Sequence, residues 1–586
     1  MFPYEDPQLP IDERVTDLLG RLTLEEKAGL MFHTMAAVNP DGTLYEPEAA
    51  GGMFESTSDL VTGKLINHVN ILTLGPTPPA LIAAWHNRIQ ELAASTRLRI
   101  PVTVSTDPRH GVLDNPATSA AAAGFSLWPE PIGFGAIQDP AVMRRFADTV
   151  RQEYLATGIR VALHPMADLA TEPRWARTSG TLGSDADVVA GLIREYVLGL
   201  QGSELGRDSV AAMVKHFPGA GPQMNGEDAH FPYGREQVYP GGMWDYHLKP
   251  FEAAFEAGVA QVMPYYGMPV GTSFEEVGFS FNAGVVQGLL RERYGFDGVV
   301  CTDWGLVTDA DNVMGAPLAA RAWGVEHLSR LERVAKILDA GADQLGGEQC
   351  PELIVSLVES GRISPARIDL SVRRILRDKF RLGLFDDRRY VDAGAVATTV
   401  GTRTFLDAGL DAQRKSVVVL RNDGLLPLAE GVRLYVDGVD PVVAARYAKV
   451  VDTAADADVA IVRRAAPYEP RGGGFEAFFH AGRLDYTAEE LAPVLATADT
   501  VPTVVDVMLD RPAILTALDS RVAGLTGTFG TGDEALLDVL FGRAPATGRL
   551  PFELPSSMAA VAASREDVPN DTAAPLYPYL HGLRLS

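Results

Sequence analysis

Between about residue 70 and residue 385 the chain repeats one pattern: a short apolar run, a few polar residues, then a longer amphipathic stretch. The runs at 100–104, 161–163, 211–214, 261–263 and 299–301 are too short for helices and read as buried strands. The stretches at 141–157, 187–200 and 331–339 carry apolar residues at helical spacing. Strands that alternate with helices in this way run parallel, because each crossover carries a helix, which leaves a closed barrel or an open doubly wound sheet. Polar and ionisable residues follow all five runs instead of gathering at one crossing point, which favours a (β/α) barrel.

The pattern weakens after Asp386-Asp387-Arg388, and 387–410 reads as a linker with one helix. A second series of apolar runs follows at 416–420, 434–436, 459–462, 503–507 and 522–526, with helical segments such as 487–496 and 534–540. It predicts a separate α/β domain, as expected for 586 residues, more than one core accommodates. At the start, Val15, Leu18, Leu19 and Leu22 recur at helical spacing and Thr23-Leu24-Glu25-Glu26 offers a capping box. Along 364–385 the basic run Arg373, Arg374, Arg377 and Lys379 is expected to be a solvated helix face.

Composition excludes several classes. A net charge of -25 argues against nucleic acid or an anionic membrane as partner. Cys301 and Cys350 make no disulfide framework and sit in no metal-ligand spacing. The first residues, Met1-Phe2-Pro3-Tyr4-Glu5-Asp6, lack a basic segment followed by an apolar one, and no apolar run reaches membrane length, so the expectation is a cytoplasmic protein.

The run 299–301 ends on Thr302-Asp303-Trp304. An acid at the C-terminal mouth of a barrel strand stands where such barrels keep their chemistry, with capping of the next helix as the plainer alternative. Its company decides. Asp107-Pro108-Arg109-His110-Gly111, Arg174-Trp175-Ala176-Arg177, Lys215-His216-Phe217-Pro218-Gly219, Met263-Pro264-Tyr265-Tyr266, Asn422-Asp423-Gly424-Leu425-Leu426-Pro427 and Gly548-Arg549-Leu550-Pro551 occur in this order along nearly the whole chain. Together with 295–304 they resemble glycoside hydrolase family 3, the β-glucosidase and β-N-acetylglucosaminidase family.

The resemblance implies a (β/α)8-like TIM barrel at 1–386, the linker at 387–410, an α/β/α sandwich at 411–565 and a tail at 566–586, with sugar bound between the two domains. It implies a retaining, exo-acting β-glycosidase, first of all a β-glucosidase, acting on short β-glucosides or oligosaccharides without metal or organic cofactor. Such an enzyme needs one ionised carboxylate to attack the anomeric carbon and one protonated group to release the leaving oxygen. Asp303 matches the nucleophile, and Asp107, Arg177, Lys215 and His216 match the residues that grip the sugar hydroxyls. Tyr266 matches a tyrosine beside the nucleophile, and Trp304 would offer an aromatic wall to the sugar, with core filling as its alternative. Two departures stand out. The Glu usual after the Arg-Trp-Gly-Arg motif is replaced by Thr178-Ser179-Gly180, which leaves Arg177 without its support, and Arg109 puts a base where an acid is common, with an altered rim expected.

For the proton donor the sequence carries material for both solutions known in the family. Glu469, in a Pro- and Gly-rich loop of the second domain, fits the β-glucosidase type, with Glu476 in reserve. Asp228-Ala229-His230 fits the Asp-His dyad of the N-acetylglucosaminidase or phosphorylase type, although its lead-in differs. The full second domain favours Glu469. A sugar-binding protein without turnover is the rival of another class. The aromatic-rich segment 575–582 is expected to dock on the second domain, with a homodimer contact as its alternative.

Overall fold

Eight short strands line up in parallel and close on themselves in chain order: β1 (Phe32–Val38), β2 (His68–Thr73), β3 (Thr103–Thr106), β4 (Ile159–Ala162), β5 (Ala211–Phe217), β6 (Gln261–Pro264), β7 (Val299–Trp304) and β8 (Gln344–Gly346). This is a TIM-like barrel, seen in a computed structural model that describes residues 2–47, 54–113 and 123–585. The five runs read as strands are β3 to β7. β1, β2 and β8 lie outside the runs read from the sequence, and polar residues interrupt all three. His33 on β1, for example, reaches Ser105 Oγ on β3 at 2.7 Å inside the barrel.

Crossover helices pack outside, and their ends are set by local chemistry. Asp139 caps Pro140–Thr157 by accepting from the Ala141 N–H, and Asp185 caps Ala186–Gln201. Ser329 and Glu332 form a reciprocal capping box on Arg330–Ala340, as Thr23 and Glu26 do on Leu24–Leu30. The core is dense in large side chains. Trp85, Trp128 and Trp175 are buried, and emptying one such site costs about 3–5 kcal/mol.

Of the basic run on the helix Pro365–Arg381, Arg373 is exposed as expected, but Arg374, Arg377 and Lys379 are not a solvated face. Lys379 is 1% exposed and closes the floor of the barrel, donating to Asn67 O, Pro101 O and Thr103 Oγ1. Arg374 and Arg377 pair with Asp297, and Arg374 also with Asp343. The Lys379 ammonium thus ties together the starts of β2 and β3, adding to the Thr103 N–H that Asn67 O already accepts at 2.8 Å.

After the helix Arg403–Ser416 the chain forms a six-stranded sheet: β9 (Val418–Asn422), β10 (Arg433–Asp437), β11 (Lys449–Val450), β12 (Val459–Ala465), β13 (Thr503–Met508) and β14 (Gly524–Thr528). The order is β9-β14-β13-β12-β10-β11, with only β9 antiparallel to its neighbour. One face packs on Leu491 and Val494 and on Ile132 and Ala136 of the barrel domain. The other packs on Ala444 and on Leu536, Leu537, Val539 and Leu540. Helices on both faces make this the α/β/α sandwich. The segment 575–582 lies on it: Tyr577 bridges to Leu554, His581 Nε2 meets Leu420 O at 2.8 Å, and Leu583 then bridges to Val419 on the outer edge of β9.

Candidate active site

β7 delivers Asp303 to the C-terminal mouth of the barrel, where it is 7% exposed. One carboxylate oxygen, Oδ1, accepts the Trp304 N–H at 2.8 Å. The other, Oδ2, is buried and makes no hydrogen bond among the described residues. His216 Nε2 lies 3.7 Å from it, beyond hydrogen-bond range. The Tyr266 hydroxyl bridges the Trp304 main chain, accepting its N–H at 3.0 Å and donating to its carbonyl at 2.9 Å. Burial and the adjacent Asp303 charge raise that phenol far above its ordinary value, so it stays a donor.

β5 delivers Lys215 and His216 side by side. Lys215 Nζ donates to Asp107 Oδ1 at 3.1 Å, and Asn70 Nδ2 holds Asp107 Oδ2 at 3.0 Å. Asp107 therefore pairs with Lys215 and not with Arg177. Arg177 Nη1 instead meets His216 Nε2 at 3.1 Å. Burial works against its charge, but Tyr265, Asp228, Asp303 and Asp168 outweigh burial and raise its pKa. None of these carboxylates forms an ion pair with Arg177 among the described residues, and its Nε, buried, has no partner there. Glu172 is engaged elsewhere, holding Arg174 Nε and Nη2 at 2.8 and 2.9 Å.

Asp168, on the loop after β4, is the residue that sequence reasoning missed. Its carboxylate accepts the His216 Nδ1–H at 2.7 Å, and also the His216 and Ala220 backbone N–H groups at 3.1 and 2.7 Å. Burial pushes Asp168 up to about 6, and burial holds the His216 imidazolium well below its usual range. At neutral pH the pair is a carboxylate with a neutral ring whose proton points away from Asp303 and whose Nε2 accepts from Arg177. A carboxylate shortly after a barrel strand was the available signal. Arg321, over the Tyr266 ring at 5.6 Å, had no comparable signal.

Arg109 does not shape the rim. It is 1% exposed and turns inward, donating to Thr106 Oγ1 at 2.7 Å and Ile71 O at 3.3 Å, because a buried guanidinium must find acceptors. Trp304 is half-buried, with its ring 5.3 Å from that of His33 and close against Gly346 and Gly347, where a Cβ would come within 2.7 and 2.6 Å of the indole.

The alternative dyad is also assembled. His230 Nδ1 lies 2.6 Å from Asp228 Oδ1, and Trp175 Nε1 donates to Asp228 Oδ2 at 3.0 Å. Burial would raise Asp228, but His230 and Arg177 hold it at about 2, while burial lowers His230. The His230 ring packs on Tyr266 at 4.7 Å, one ring away from Asp303.

The loop after β12 spans the gap between the domains. Phe475 and Phe479 pack on His230 at 5.7 and 5.0 Å, Arg471 pairs with Glu227, and Tyr233 donates to Glu476. Glu469 stands at the neck of this loop, bridged to Ala481, with its side chain 51% exposed and Arg471 at 3.9 Å. The sandwich loop that lies against the barrel loops thus carries two carboxylates, Glu476 tied to a phenol and Glu469 largely exposed.

Residues 49–377 match the glycosyl hydrolase family 3 N terminal domain, and residues 429–585 match the glycosyl hydrolase family 3 C-terminal domain. Beta-glucosidase C of Emericella nidulans is 49% identical over 99% of this chain and 93% of its own length. The periplasmic beta-glucosidase/beta-xylosidase of Dickeya chrysanthemi is 40% identical over 99% and 91%. A beta-glucosidase structure from Listeria innocua in complex with gluconolactone superposes with a TM-score of 0.78 at 22% identity, covering 98% of this chain and 83% of that one, which shows the shared fold. With both domains matched in order and relatives nearly half identical from end to end, the chain belongs to glycosyl hydrolase family 3.

Proposed function

We propose that the protein is a retaining, exo-acting β-glucosidase that releases the terminal sugar of short β-glucosides or oligosaccharides, with Asp303 as nucleophile and Glu469 as acid/base. The observation that carries this reading is the Asp303 carboxylate, with one oxygen anchored and the other buried and unpartnered near His216 and Arg177. Asp303 Oδ2 attacks the anomeric carbon while Glu469 gives its proton to the departing oxygen; Glu469 then takes a proton from the water that frees the sugar. Asp107, Arg177, Lys215 and His216 present acceptors and donors that suit sugar hydroxyls, and a sugar lacking those hydroxyls would leave them unpaired. Names of the 49% and 40% identical relatives support glucose first and xylose second.

A second reading, a β-N-acetylglucosaminidase or phosphorylase, draws on the Asp228–His230 contact. Burial weighs against it, because it disfavours the imidazolium that would donate the proton, while Asp228 acts in the opposite sense. The test is initial rates on matched aryl β-glucoside, β-xyloside and β-N-acetylglucosaminide, with and without phosphate, repeated for E469A and H230A. A phosphate-independent glucoside rate that falls about 10²- to 10⁴-fold in E469A is expected. Preference for the N-acetyl sugar, or a larger loss in H230A, would move the proton to His230.

A further inference from the structure

Just past the end of β13 a positive charge is carried into the seam between the two domains. Arg511 has no exposed surface and forms no ion pair among the described residues. Its guanidinium is spent on five backbone carbonyls. Nη2 donates to Pro467 O at 2.9 Å, Ala481 O at 3.0 Å and Arg483 O at 2.8 Å. Nη1 donates to Gly482 O at 3.2 Å and, across the seam, to Arg174 O at 2.9 Å.

Pro467 on one side and 481–483 on the other are the two walls of the neck that carries Glu469. Ala481 O also accepts the Glu469 N–H at 2.9 Å. A Cβ on Gly482 would lie 2.2 Å from Glu469 Oε2, so the carboxylate rests on the same stretch of main chain. Asp510 grips the neck a second time through His480 Nδ1, at 2.5 Å, and the His480 ring stacks on Tyr468 at 3.9 Å. On the barrel side, Arg174 stands three residues before Arg177, which meets His216 beside Asp303.

We propose that Arg511 is a positioning residue for the proton donor: one planar guanidinium ties the Glu469 neck to the barrel loop of Arg177 and so sets where the acid stands over the bound sugar. The proposal rests on the reading of Glu469 as acid/base. The four N–H groups of Nη1 and Nη2 are shared among these five carbonyls in one plane, whereas an ammonium offers three donors from one point.

The test compares R511K and R511M with E469A, using kcat/KM on a phenyl β-glucoside, whose leaving group needs the proton, and on a dinitrophenyl β-glucoside, whose leaving group does not. R511K is expected to lose at least about 10-fold on the phenyl glucoside and under about 3-fold on the dinitrophenyl one, in the same sense as E469A and by less; R511M should lose more than R511K. Equal losses of R511K on both substrates, or none, would overturn the proposal while leaving Glu469 as acid. A flat leaving-group response in E469A itself would remove the acid assignment and Arg511's role with it. Should R511M fail to fold, R511K, which keeps the charge, decides.

Discussion

The two halves of the site are built by opposite means. On the barrel, Asp303, His216 and Lys215 stand on strand ends and are 7%, 1% and 6% exposed, each held by at least one neighbour: the Trp304 N–H, Asp168 and Asp107. On the sandwich, Glu469 and Glu476 hang from a loop whose neck is pinned and whose tip rests on the barrel through Arg471, Phe475 and Phe479. A nucleophile does its work at one place, so a strand ladder can fix it. An acid/base must first meet a leaving oxygen and then a water, and a pinned loop gives it a small, bounded range.

This contrast can be broken at several points. Asp303→Asn removes the group around which the barrel half is arranged, and kcat on an aryl β-glucoside should fall at least about 10⁴-fold while the far-ultraviolet circular dichroism stays that of the parent. Activity within tenfold of the parent would end the assignment. Asp168→Asn leaves Asp303, Arg177 and Lys215 in place but frees His216 to change tautomer; kcat/KM should fall roughly 10²-fold, less than where a histidine itself carries the proton. A loss that is confined to KM would instead mean that the His216 pair only holds substrate.

The smallest effect on turnover should come from the scaffold. Asp378 is 5% exposed, accepts Gln261 Nε2 at 3.0 Å and is pushed by burial up to about 6 from an ordinary 3.8. Because the folded state holds this proton more tightly, its contribution is complete below about pH 3.8 and is lost as pH rises through 6. The difference corresponds to roughly 3 kcal/mol at most. Asp378→Asn should therefore raise Tm at pH 7.5, match the parent near pH 4 and leave kcat unchanged; an equal Tm at both pH values would show that Asp378 carries no such penalty.

Much of the barrel's chemistry was legible because strand-end residues sit next to apolar runs, which is how Asp303, Lys215 and His216 come into view. On β1, β2 and β8 polar residues such as His33 interrupt the apolar pattern, and these strands were not picked out. Asp168 stands shortly after a barrel strand, but its contacts, like those of Arg511, are with residues remote in the chain, and nothing local announces Arg511. Burial reversed two expectations for the same reason. Arg109 and Lys379 look like surface charge in a one-dimensional pattern, yet each finds enough acceptors inside the fold to be buried.

Both edges of the sandwich sheet are blunted. Leu583 occupies the outer side of β9, and the opposite edge, β11, is two residues long and begins with a lysine. Little of the row of free N–H and C=O groups through which sheets zip together is left open. Combined with a net charge of -25, this makes colloidal behaviour a matter of repulsion between like-charged particles, so concentrated solutions should lose protein to added salt before they lose it to strand exchange.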